Sequence, residues 1–98
     1  MSYGAVRLGA DSTTGHGCFP PSKTATGSTT VFTDQMPTVR MSDQYALHCC
    51  PAMGCHTPTA SQGSQTTFSD GLAKHLMMHQ CSCGDKAATG SMTTFAGF

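Results

Sequence analysis

The chain has 98 residues, five acidic and five basic side chains that cancel, and only four Leu, three Val and five Phe, with no Ile or Trp. That length allows a single domain, 1–98, with a thin apolar core. The neutral balance excludes a basic footprint for nucleic acid, and no stretch comes near the ~20 apolar residues needed to span a bilayer.

Cohesion must then come from disulfides, a metal or a partner, and six Cys and five His are the material for it. The first fifteen residues, MSYGAVRLGADSTTG, hold no apolar run of the signal-peptide kind. Synthesis in the cytoplasm is therefore expected, with structural disulfides the less expected outcome.

In chain order, the first chemically interesting group is TGHGC (14–18). GSTTVF follows at Gly27, and the phrase returns as GSQTTF at Gly63 and GSMTTF at Gly90, 36 and 27 residues on. In each copy the Gly supplies a flexible φ at a corner and the Ser bonds the turn backbone. A short strand then puts Phe32, Phe68 or Phe95 on the inner face. Thr33-Asp34-Gln35 and Ser69-Asp70-Gly71 read as hairpin turns, the second with a favoured Asp-Gly pair, and MPTVRMSD (36–43) returns from the first. Repetition of corner, strand and aromatic predicts three similar walls about one axis, an all-β fold. The best helical window, Asp70 to Gln80, has its apolar residues at offsets of four and five and reads instead as strand and loop.

Between the copies lie LHCCPAMGCH (47–56) and KHLMMHQCSCG (74–84). If three walls surround an axis, these connections and TGHGC can meet at one end, and four His and Cys ligands from three segments can close a tetrahedral zinc site. No regular zinc-finger spacing is present. Cys18 and Cys49 read as small buried apolar residues, His75 as surface or half-buried, and the seven Met as interior gap-fillers. Adjacent Cys49 and Cys50 must point to opposite sides of a strand. The only carboxylates, Asp11, Asp34, Asp43, Asp70 and Asp85, are nowhere paired for acid and base work, so no enzyme is expected.

Taken in order, TGHG, GSTTVFTDQMPTVRMSD, YALHCC, GCH, GSQTTFSDG and the Cys-Gly before ATGSMTTF resemble the PAAR-repeat proteins, from about Gly9 to the C terminus. The resemblance implies a small pseudo-threefold β pyramid or cone, stapled near its apex by one metal, zinc before iron, on three His and one Cys. Carried over, the ligands are His16, His48, His56 and Cys83. Where a second Arg and Asp would match Arg40 and Asp43, this chain has Leu76 and His79. His79 or Cys81 can substitute for a ligand, and Cys55 competes with His56.

The implied function is that of a spike tip: one cone caps a trimeric β-helical spike, VgrG-like or phage central spike, and sharpens it for membrane piercing during sheath contraction. The target membrane is touched transiently on puncture, and no nucleic acid is bound. Assembly into a bacteriophage tail baseplate or a type VI secretion apparatus is implied, with delivery to the target cell envelope. The alternatives are a small zinc-binding module for protein or nucleic-acid interaction and a Cys-dependent enzyme.

Overall fold

The computed structural model describes residues 2–98, and every regular element among them is a short strand. The strands are β1 (Ser2–Gly4), β2 (Phe32–Thr33), β3 (Met36–Pro37), β4 (His48–Cys50), β5 (Gly54–His56), β6 (Phe68–Ser69), β7 (Leu72–Ala73) and β8 (Phe95–Gly97). They pair antiparallel as β1–β8, β2–β3, β4–β5 and β6–β7, which confirms the all-β class and the absence of a helix over 70–80. The chain extends over 38 × 27 × 22 Å.

Three of these pairs, β2–β3, β6–β7 and β8–β1, are the repeated walls. In each copy the buried Ser28, Ser64 or Ser91 accepts the amides two and three residues further on at 2.8–3.2 Å. The amide of each Ser in turn donates to the residue that follows the partner strand of the same wall, at Thr38 O, Lys74 O and Ala5 O. Asp34-Gln35 and Asp70-Gly71 all have positive φ, as a two-residue primed turn requires. The third copy has no such turn; β8 closes the fold by pairing with the N-terminal strand.

The axis itself is a closed triangle of backbone bonds. Val39 N donates to Val6 O, His75 N to Val39 O and Val6 N to His75 O, all at 3.0–3.1 Å. Further along the chain, six segments close a ring through the bridges 12↔23, 24↔45, 44↔59, 60↔81, 80↔86 and 87↔13. Closure leaves no strand edge within this ring, so backbone hydrogen bonding replaces much of what a large apolar core would supply.

Three sequence expectations are corrected here. Phe32, Phe68 and Phe95 point outward and are 57, 58 and 54 % exposed. The inner positions belong to their neighbours: Thr33 and Ser69 are buried and Ala96 half-buried. Each Gly corner lies against the partner strand of its own wall with no room for a side chain. Gly27, Gly63 and Gly90 serve this closeness and not a positive φ: a Cβ on Gly90 would lie 2.6 Å from Gly4 O, and one on Gly63 2.6 Å from the Ala73 Cβ. The methionines are largely outside, with Met53 and Met92 the most exposed.

His75, expected near the surface, is wholly buried on the axis beside Val6 and Val39. Its Nδ1–H donates to Gln62 O at 2.7 Å, and its Nε2 accepts the Tyr45 hydroxyl at 3.0 Å. Burial pushes the imidazole from 6.5 down to about 4. Because the folded value lies below the unfolded one, the protein binds fewer protons when folded between those limits. Stability is therefore complete above ~6.5 and is lost as pH falls toward ~4, by ~3 kcal/mol in all. Urea unfolding of the metal-free protein across this window, beside His75→Gln, checks it: the variant should lack that share of the acid loss.

The two Arg-Asp corners are built alike. Arg7 grips Asp11 through Nε (2.9 Å) and Nη2 (3.0 Å), and Arg40 grips Asp43 in the same way (2.8 and 3.0 Å). Each spare Nη1 reaches the turn carboxylate of a wall, Asp34 or Asp70, at 3.0 Å. Those carboxylates accept Ser91 and Thr93, or Ser28 and Thr30, from the next wall. Burial raises the Asp11 and Asp43 carboxyls, but the Arg bonds outweigh it and hold both below the usual range.

At the third corner Leu76 and His79 occupy the positions that Arg40 and Asp43 hold at theirs. His79 Nδ1 accepts the Leu76 amide at 3.0 Å, as Asp43 and Asp11 accept those of Arg40 and Arg7. The His79 ring then packs on Phe98, centroids 4.1 Å apart, in place of an ion pair.

Candidate metal centre

Beyond the six-segment ring lie three further excursions, and each carries a ligand. The first is a tight turn at 16–19. His16 and Phe19 exchange both backbone bonds (3.1 and 2.8 Å), and Gly17 has a positive φ of 55°. The second is the β4–β5 hairpin, in which His48 lies directly opposite His56 and Cys49 opposite Cys55. A third turn, closed by the Cys81 amide on Asp85 O at 2.7 Å, lifts Cys83 toward them.

The result places His16, His48, His56 and Cys83 together, with one ligand atom of each lying within 4.8 Å of all the others. The Nε2 atoms of His16 and His56 are 3.1 Å apart, and those of His48 and His56 2.7 Å. A tetrahedral ion with ~2.0 Å bonds to nitrogen spaces its nitrogen ligands ~3.3 Å apart, so the donor set fits a metal ion. The tautomer also fits. His48 Nδ1 lies 2.8 Å from Pro20 O, which can only accept, so the proton sits there and the Nε2 lone pair faces the cluster. Desolvation, then the neighbouring His48 and His16, lowers the His56 pKa, keeping a lone pair available for coordination.

Phe19 was not singled out in the sequence, yet it orients the whole group. Its ring centroid lies 4.8, 4.9 and 4.3 Å from those of His16, His48 and His56. An apolar plate against three imidazoles limits water access and restricts ring rotation. A bulky residue directly after a ligand turn is the only sequence signal for it.

The rival ligands fall away. Cys55 is bonded to Cys49 and Cys18 to Cys50, so the expectation of free, buried Cys18 and Cys49 is overturned. Adjacent Cys49 and Cys50 do face opposite sides, which is how one strand joins two disulfides. Two cysteines stay reduced. Cys81 is buried, and desolvation pushes its thiol up to about 12, which makes it a poor ligand beside Cys83. His79 is buried against Phe98 and takes no part.

One group near the centre has no evident partner. Asp85 is fully buried, neither of its carboxylate oxygens makes a hydrogen bond, and Oδ1 lies 3.9 Å from His16 Nε2. Compared with protein families and with curated proteins, the chain finds no match.

Proposed function

We propose that the protein is a spike tip of the PAAR-repeat kind, a single chain that caps a trimeric β-helical spike, VgrG-like or phage central spike, and narrows it for membrane piercing. The observation that carries this reading is the trio of outward Phe32, Phe68 and Phe95, presented at nearly equal exposure by three equivalent walls. Large apolar side chains left in water at equivalent positions are an interaction surface, and a surface of threefold likeness suits a threefold partner. The apolar ends and strand edges of a trimeric β-helix need such a cover.

The cluster of His16, His48, His56 and Cys83 lies beyond the ring, where the chain has little core of its own. A zinc ion there, with iron as second choice, joins three separate turns and supplies cohesion that apolar burial cannot. The mechanism is mechanical: the walls seat on the spike, and the cross-linked far end meets the membrane. The tip belongs in a phage tail baseplate or a type VI secretion apparatus and reaches the target envelope on contraction.

Two other readings have less support. A zinc module for nucleic acid lacks a basic face, the net charge being zero. A Cys-dependent enzyme lacks an activated thiol, since Cys81 is pushed up and Cys83 sits in the ligand group.

The test is binding to a trimeric β-helical spike. One chain per trimer is expected, and the triple variant Phe32→Ala, Phe68→Ala, Phe95→Ala should weaken binding at least a hundredfold with metal content unchanged. A protein that binds no such spike, or whose triple variant binds equally well, overturns the reading.

A further inference from the structure

Among the described residues, Asp85 is the one aspartate of the five that neither pairs with an arginine nor accepts a hydrogen bond. A buried carboxylate in that condition is among the least favourable groups a small fold can hold. It is also not remote: the turn that carries it, closed by Cys81 N on Asp85 O, is the same turn that carries Cys83. Its Oδ1 faces His16 Nε2 at 3.9 Å, too far for a hydrogen bond but directly beside one of the four candidate ligands. The other titratable groups that feel it are His56, Tyr45 and Cys81. Among the described residues, no arginine or lysine forms an ion pair with it.

We propose that Asp85 is the fixed counter-charge of the metal centre, an outer carboxylate that makes the site selective for divalent over monovalent ions. Three neutral imidazoles and one thiolate leave a divalent ion with a net charge of plus one, and Asp85 brings the assembly to zero. A monovalent ion such as Cu(I) on the same four ligands is already neutral, and Asp85 turns the assembly into a buried anion. Ligand softness favours Cu(I) on a Cys and His set; the carboxylate opposes that preference by charge. Asp85 thus acts through the ion and its ligands as a positioning and selectivity residue. The inference rests on the metal reading of His16, His48, His56 and Cys83 and not on the spike-tip role.

The experiment titrates metal-free protein with Zn(II) and, under anaerobic reducing conditions, with Cu(I), each against a competing chelator. Wild type is compared with Asp85→Asn and Asp85→Ala. Loss of the charge should weaken Zn(II) binding 10- to 100-fold and leave Cu(I) binding unchanged or tighter. The metal-free variants should melt at or above the wild-type temperature, because a buried carboxyl group without a hydrogen-bond partner has gone. A purely structural role for Asp85 would lower both affinities and the melting temperature together. Equal Zn(II) affinity in wild type and both variants, or equal losses for the two ions, overturns the proposal. Wild type that binds no Zn(II) overturns the metal reading itself, which is a separate result.

Discussion

Stripping the metal with a strong chelator is expected to lower the thermal midpoint of the protein by ~20 °C, with Cys83→Ser and His48→Ala matching the chelated wild type. The reasoning starts from what holds the far end together. Among the described residues, the 16–19 turn, the β4–β5 hairpin and the 81–85 turn lie past the six-segment ring, and the Phe19 ring packs against the three imidazoles there. An ion that binds only the folded form stabilises it by ~4 kcal/mol when present at a thousand times its dissociation constant. In a domain of this size each kcal/mol moves the midpoint by ~4–8 °C. Calorimetry with and without chelator, beside elemental analysis, is the measurement. A midpoint indifferent to metal would mean that the four side chains meet without a bound ion.

Reduction of the disulfides is expected to be comparably costly, and unequally so between the two. Cys18–Cys50 spans 32 residues and Cys49–Cys55 only six. By chain entropy the long loop contributes ~4 kcal/mol and the short one ~2 kcal/mol. The long bond ties the His16 turn to the His48 strand, so its loss also loosens one ligand against another. The paired variant Cys18→Ser, Cys50→Ser should therefore lose both thermal stability and metal affinity. Cys49→Ser, Cys55→Ser should lose the smaller share of stability, because the hairpin register already sets His48 against His56. Denaturant unfolding of the two paired variants, with zinc competition on each, distinguishes them. Equal effects would refute the assignment of the long bond as the brace of the site.

What the sequence could convey depended on whether the information was local. The Gly-Ser corners were legible because each Ser bonds amides two and three residues away, and the Asp-Gly turn because its φ angles belong to two residues. The four candidate ligands came from likeness to a family and not from spacing, since they lie on three turns that only the closed ring brings together.

The facing of Phe32, Phe68 and Phe95 was misread because strands of two or three residues leave almost no alternation from which to infer an inner side. The disulfides were misread because a default about cellular compartment stood in for geometry, and geometry sets Cys49 opposite Cys55. His75 was misread for a similar reason. Its neighbours in sequence, Lys74 and Leu76, say nothing of Val6 and Val39, which meet it across the axis.

The near-equivalence of the three walls has a statistical consequence. If the proposed threefold partner is real, a chain with three like walls, each presenting an outward phenylalanine, can seat on it in three rotational settings. If the settings are equal in energy, their number alone favours binding by RT ln 3, ~0.65 kcal/mol. The third corner, where Leu76, His79 and Phe98 replace the ion-paired arrangement, marks which setting a given particle has taken. An image averaged about the axis of a spike of the proposed kind would therefore superpose three rotated copies of one chain, showing that corner at about one third of its weight in each position.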